Sequence, residues 1–282
     1  MAGHIVVGVD GSAAASAAVE WAAEDARRKG LGLRVVHVCA SWPAEHAAGR
    51  CAEALAAAGE RAGEAAGDLE VTTELLQGNV IERLLAESAT AAEVVLGSRG
   101  LGEFQAMLVG SVSLAVAGHA AGPAVIVRDA AATRHGRVVV GYDRSEHAET
   151  AMQYAVDHAR AHGARLHVLH AWRTPLLTPH QAAYNSLLAD AYQEETRDVA
   201  ESVASWREKN PDLDFTHETA TGHPVDVLAR AGATADLVVV GSRGLGGFAS
   251  AVLGSVSHGV LHHVTCPVAV VRPRHEGTLT GT

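Results

Sequence analysis

What this sequence lacks narrows it first. Its 282 residues include three cysteines, Cys39, Cys51 and Cys266, an odd number with no CxxC pair. That pattern suggests neither a disulfide framework nor a zinc site. Cys39 and Cys266 read as apolar fillers rather than redox sensors, and a reducing cytoplasm is the expected compartment. Aromatic residues make up 4%, so the hydrophobic fraction of 48% comes mainly from alanine and valine. Alanine-rich helices pack closely against a sheet, which points to a layered α/β fold and away from disorder. There is no basic excess either. A net charge of −10 argues against nucleic acid or an acidic membrane as the main partner. A nucleotide anion can still be held where backbone donors and an arginine act locally. No uncharged apolar run is long enough to span a bilayer. The start, Met1-Ala2-Gly3-His4, leads into a strand without the basic and apolar regions of a signal peptide.

What is present occurs twice. Ile5-Val6-Val7-Gly8-Val9-Asp10-Gly11-Ser12 returns 133 residues later as Val138-Val139-Val140-Gly141-Tyr142-Asp143-Arg144-Ser145. An apolar run ending in Gly-x-Asp-x-Ser reads as a buried strand, a turn and a helix N-cap. In the helix that follows, Ala15, Ala18, Val19, Ala22 and Ala26 form one apolar stripe, as do Ala148, Ala151, Met152, Ala155 and Ala159. Gly30 and Gly163 are placed to end these helices. Further strands are expected over 33–39, 69–76 and 124–128, and over 165–171, 214–220 and 268–272. Short helices are expected after Gly78-Asn79 and Gly222-His223-Pro224. The order is βαβαβαβαβ, twice, which implies a parallel sheet with right-handed crossovers in each half. Expected domains are 1–130 and 131–282, with a linker near 129–136 and a polar tail over 274–282. Extra residues around 176–191 lengthen the second copy.

The central feature is Gly97-Ser98-Arg99-Gly100-Leu101-Gly102, with Gly110-Ser111-Val112-Ser113 behind it. It returns as Gly241-Ser242-Arg243-Gly244-Leu245-Gly246-Gly247, with Gly254-Ser255-Val256-Ser257 behind it. A strand that empties into a glycine-rich loop and then a helix N-terminus suits phosphate, because backbone N–H groups can approach the anion. In open parallel sheets ligands bind beyond the carboxyl ends of strands, where the strand order reverses. A crevice there would receive Asp10 (Asp143) from one loop and the glycine run from the other. The carboxylate suits ribose hydroxyls or a metal ion. The Ser111/Ser113 and Ser255/Ser257 hydroxyls suit phosphates, and backbone at Val38 or Ala171 can meet a base edge.

Each half resembles a universal stress protein domain of the ATP-binding type, whose motif is G-x2-G-x9-G-[ST]. The chain fits at Gly97, Gly100, Gly110 and Ser111, and again at Gly241, Gly244, Gly254 and Ser255. Gly8 with Asp10, and Gly141 with Asp143, fit the early motif. The resemblance implies two Rossmann-like α/β domains, each a five-stranded parallel sheet of order 3-2-1-4-5 with helices on both faces. It also implies ATP in each crevice, with Mg2+ as a possible companion, pairing of the halves through their fifth strands, and dimers of chains. The function implied is that of an ATP-binding stress-response regulator. The alternative is a slow ATP-hydrolysing or phosphoryl- or nucleotidyl-transferring enzyme. Against that alternative, there is no G-x4-G-K-[ST], neither loop contains lysine, and no second acid pairs obviously with Asp10 or Asp143.

Each sharp reading has a plainer rival. Asp10 and Asp143 could serve only as charges at a helix N-terminus, and Arg99 and Arg243 as solvated loop residues. His258 and His262 stand four apart on a helix, but Leu114 and Gly118 take their places in the first copy, so a metal site is not expected. His37 and His170 lie inside a strand and are expected to be satisfied core histidines. Glu103 and Gln105 in the first loop face Gly247 and Ala249 in the second. A glutamate pointing inward would repel phosphate, so the second site is expected to bind ATP more tightly.

Overall fold

The computed structural model describes residues 3–39, 45–100, 109–128, 133–173, 185–245 and 252–273. The chain divides into two compact units, residues 1–130 with 269–282, and residues 131–268. The first half runs β1 (His4–Val9), α1 (Ala13–Lys29), β2 (Gly32–Cys39), α2 (Glu45–Ala66), β3 (Val71–Gln77), α3 (Val80–Ser88), β4 (Glu93–Gly97), α4 (Ser111–His119) and β5 (Ala124–Val127). The second runs β6 (Arg137–Gly141), α5 (Glu146–His162), β7 (Arg165–Trp172), α6 (Asn185–Lys209), β8 (Phe215–Thr221), α7 (Pro224–Gly232), β9 (Leu237–Gly241), α8 (Ser255–His263) and β10 (Val268–Val271). The strand order is β3-β2-β1-β4-β5 in one and β8-β7-β6-β9-β10 in the other. Both are the expected 3-2-1-4-5, and every pair with a resolved register is parallel.

Local chemistry explains the boundaries. Ser12 and Ser145 cap α1 and α5, accepting from Ala15 N and Ala148 N at 3.2 Å. Gly30 (φ 65°) and Gly163 (φ 61°) end the same helices in the left-handed region that a side chain disfavours. The apolar stripes face the sheet: Ala18, Val19, Ala22 and Ala26 are fully buried, as are Ala151, Met152, Ala155 and Ala159. Strands β4, β5, β9 and β10 are buried along their whole length. Strands covered on both faces need continuous apolar runs, here valine-rich. Strands β3 and β8, each at one end of its half's strand order, alternate or turn polar. No helix among the described residues is long and apolar enough to cross a membrane.

One buried cluster of charge interrupts the first core. Lys29 Nζ lies 2.7 Å from Asp25 Oδ2 and 2.9 Å from Glu93 Oε2. Burial and the Asp25 carboxylate push the Glu93 carboxyl up to about 8, against the pull of Lys29. Its folded value thus lies above its unfolded one, so the folded state holds the extra proton. That contribution to stability is greatest below the unfolded value and is lost as pH rises toward 8. Urea unfolding followed from pH 5 to pH 8.5 should therefore show declining stability. Glu93→Gln should flatten the decline and raise the midpoint at the alkaline end. A decline of equal slope in the variant would place its origin elsewhere.

Candidate functional site

The site begins with register. Gly8 of β1 pairs with Leu96 of β4, so the chain leaving β1 at Asp10 emerges beside the chain leaving β4 at Gly97. β1 has β2 on its other side. This is where the strand order reverses, and a crevice of about 620 Å3 opens there. That size accommodates a small-molecule ligand. Gly8, Asp10, Val38, Gly97, Arg99 and Gly100 line it, together with Gly110, Ser111, Val112 and Ser113 at the start of α4. Among the described residues lining it, Asp10 and Arg99 carry the charge.

The glycines have separate tasks. A Cβ on Gly97 would stand 2.7 Å from the Ala14 carbonyl carbon and 2.8 Å from Ala15 N. On Gly241 it would stand 2.9 Å from the His147 backbone. These contacts are with backbone, which cannot swing aside, so the first glycine permits close packing of strand end on helix start. At Gly100 and Gly244 the obstacle is a carboxylate: Asp10 Oδ2 at 2.4 Å and Asp143 Oδ2 at 2.3 Å from the added Cβ. At Gly110 the nearest atom is Ser98 O at 3.6 Å, an ordinary contact.

The loop closes on itself. Gly110 N donates to Ser98 O and Gly254 N to Ser242 O, both at 2.7 Å. Asp10 Oδ1 accepts from Ser12 N at 2.9 Å. Asp143 Oδ1 accepts from Ser145 N, and its Oδ2 from Leu245 N, each at 3.1 Å. Asp143 therefore ties the turn after β6 to the glycine loop. Ser113 Oγ donates to Gly97 O at 2.7 Å and Ser257 Oγ to Gly241 O at 2.6 Å. Each buried hydroxyl has one proton, committed here to the strand end, so these two serines work as clamps. Ser111 and Ser255, at the first position of their helices, have no such bond among the described contacts. Their helices begin at Gly110 and Gly254 with no side-chain cap, which leaves first-turn N–H groups for a ligand.

A profile of the universal stress protein family matches residues 1–128 and again residues 135–272. The chain belongs to this family. A universal stress protein of Mycolicibacterium smegmatis is 36% identical over 292 residues, covering 96% of this chain and 97% of that one. A universal stress protein of Mycobacterium tuberculosis is 35% identical over 290 residues, covering 95% and 96%. Among solved structures, a universal stress protein from Archaeoglobus fulgidus has the same fold, with a TM-score of 0.71 at 22% identity over 96% of this chain and 98% of that one.

Within this family framework the remaining residues can be placed. Ala171 lies near the end of β7, paired with Ala220. Ser98 and Ser242 are fully buried, below the loop rather than on its face. Ser242 Oγ meets His147 Nδ1 at 3.0 Å. That hydroxyl–imidazole pair resembles a nucleophile with its base, but a fully buried Oγ gives a substrate no approach. Leu101, Gly102, Glu103 and Gln105, and Gly246, Gly247 and Ala249, lie outside the described residues. So does most of the inserted segment near 176–191.

Sequence reasoning missed two features. Arg144 stands where the first copy has Gly11, and both have positive φ, 63° and 84°. A left-handed arginine costs about 1 kcal/mol or more. It is held by ion pairs to α6, 2.7 Å to Asp198 and 3.0 Å to Glu195. No local signal marks this, since both acids lie some fifty residues on. The second is a correction. Cys39, expected to be an apolar filler in a chain without a disulfide framework, is joined to Cys51 as a disulfide, with Cα atoms 6.4 Å apart. The crossover from β2 brings α2 back over the strand end, a meeting that a spacing of 12 residues does not announce.

The division of labour among the glycines can be measured. Gly97→Ala should lower stability by about 1–3 kcal/mol, because backbone must move. Gly110→Ala should cost under about 1 kcal/mol, the loss of a favourable N-cap residue. Urea unfolding of both variants checks this, and equal losses would refute the packing role of Gly97.

Proposed function

We propose that each half binds one adenine nucleotide, ATP in the first instance, and that the protein is a nucleotide-responsive regulator with little or no catalysis. The observation that carries this reading is the pairing of an uncapped helix N-terminus with a carboxylate across one crevice. Phosphates would lie against the first turn of α4 or α8, with Arg99 or Arg243 beside them. Ribose hydroxyls would donate to Asp10 or Asp143, and the base would lie toward Val38 or Ala171. The carboxylates keep lone pairs beyond those used by backbone N–H groups, so Mg2+ could be shared with phosphate oxygens. Mg2+ is usually held by one or two carboxylates plus phosphates, and one aspartate fits that pattern. What such an ion would supply is charge neutralisation of the phosphates. The residues hold and orient. Among the described residues lining the first crevice Asp10 is the one carboxylate, and its Oδ1 is engaged by Ser12 N, which favours binding over hydrolysis.

Protein purified from cells, denatured and chromatographed, should release up to two adenine nucleotides per chain. Gly100→Glu and Gly244→Glu should each remove one, since the added side chain collides with the aspartate and brings charge to the phosphate approach. A protein that is empty and also fails to bind added ATP would overturn the proposal. Multiple-turnover hydrolysis abolished by Asp143→Asn would overturn the non-catalytic part alone.

A further inference from the structure

The matching histidines of the two halves are not in matching states. His170 Nδ1 meets the Tyr142 carbonyl oxygen at 2.8 Å. His37 occupies the same register on β2, opposite Val9, yet its Nδ1 is buried without a hydrogen-bond partner among the described residues. The residue as a whole is only 8% exposed. An orphaned imidazole nitrogen in a folded core is costly unless something else occupies it. What lies beside it differs between the copies. The first half has Cys39 and, from α2, Cys51; the second has Trp172 at the place of Cys39. A ligand atom of His37, Cys39 Sγ and Cys51 Sγ all lie within 4.8 Å of one another.

We propose that His37, Cys39 and Cys51, with the disulfide reduced, form a binding site for a thiophilic divalent cation of the zinc type. Zinc takes thiolate at about 2.3 Å and imidazole nitrogen at about 2.0–2.1 Å, which spaces tetrahedral sulfurs about 3.8 Å apart. Ligand atoms already within 4.8 Å need only small movements once the S–S bond opens. Three protein ligands leave a fourth position for water. A cavity of about 630 Å3 beside the cluster, lined by Asp10, His37, Arg50, Cys51, Glu53 and Arg61, gives access to it.

The disulfide makes the site conditional. A dithiol reductant passes two electrons and two protons to the S–S bond, which opens to two thiols, while the reductant closes to its own disulfide. Metal binding then displaces the two thiol protons. With hydrogen peroxide as oxidant, the two thiols form the S–S bond again and the peroxide leaves as two waters. Sulfurs joined to each other are no longer thiolates, so oxidation removes the site.

The test uses the full chain, reduced anaerobically, with Co2+ as the spectroscopic probe and Zn2+ as competitor. One equivalent of cobalt should bind, with thiolate-to-cobalt charge-transfer absorption, and Zn2+ should displace it. Cys266→Ser should behave as wild type. Cys51→Ser should lose the charge-transfer band of a two-thiolate site, and both it and His37→Ala should bind at least about tenfold more weakly. Circular dichroism of each variant establishes that it is folded. Peroxide-treated wild type, an arm that needs no substitution, should bind none. Reduced protein with all three thiols titratable that binds no cobalt, or cobalt binding unchanged after peroxide closes the disulfide, would overturn the proposal.

Discussion

The crevice depends on how closely the end of β4 approaches the start of α1. The Gly97 backbone packs against that of Ala14 and Ala15 with no room for a Cβ, and Gly241 does the same against His147. Once the strand end sits there, its carbonyl lies within reach of Ser113, which pulls the start of α4 onto β4. The same closeness lets Gly110 N reach Ser98 O, so the glycine loop leaves and returns at one point. Asp10 then has a fixed neighbour in Gly100, because the turn that carries it is pinned by Ser12. A methyl group at Gly97 would push on a helix terminus, and through it on the carboxylate, the loop and the second helix together. The motif is thus first a packing device, and the ligand surface follows from the packing.

The two halves keep this device and vary everything around it. Val9, Gly11, Ala14 and Cys39 in the first become Tyr142, Arg144, His147 and Trp172 in the second. The substitutions add polar ties: Arg144 to α6, His147 to Ser242, and the Tyr142 hydroxyl to Glu149. Trp172 packs edge-on against Tyr192 of α6, with ring centres 5.8 Å apart. In the first half the corresponding tie between β2 and its crossover helix is the covalent Cys39–Cys51 bond. Both solutions fasten the second helix beside the site, one by charge and aromatic contact and one by sulfur.

The fold was legible because its signals are local or repeated. Ser12 and Ser145 cap the expected helices, Gly30 and Gly163 end them, and the valine runs became buried strands. The repeat also marked two loops for attention, since both copies carry their glycines to the same strand end. Individual roles were less legible. Ser113 and Ser257 looked like phosphate donors, and only the distance to a strand carbonyl reveals a clamp. Gly97 and Gly100 look alike in a motif, yet one makes room for backbone and the other for a carboxylate. His37 and His170 share a register, yet His170 Nδ1 meets the Tyr142 carbonyl oxygen while His37 Nδ1 has no hydrogen-bond partner among the described residues. Cys51 and Arg144 act through contacts that cross a whole helix, where neither periodicity nor spacing leaves a trace.

Among the helix starts whose caps are described, capping separates those open to a ligand from those already filled. Several helices begin at the carboxyl end of the sheet in each half, and any of them could in principle attract an anion. Ser12 fills the start of α1, and Asn79 the start of α3, its Oδ1 accepting from Ile81 N and Glu82 N. In the second half Ser145 and His223 do the same for α5 and α7. Only glycine precedes α4 and α8, although a serine or aspartate there would stabilise the helix by roughly a few tenths of a kcal/mol or more. That forgone stability is the physical mark of a terminus left open. It is left open in both copies, at the one place where the sheet order reverses and a carboxylate stands opposite.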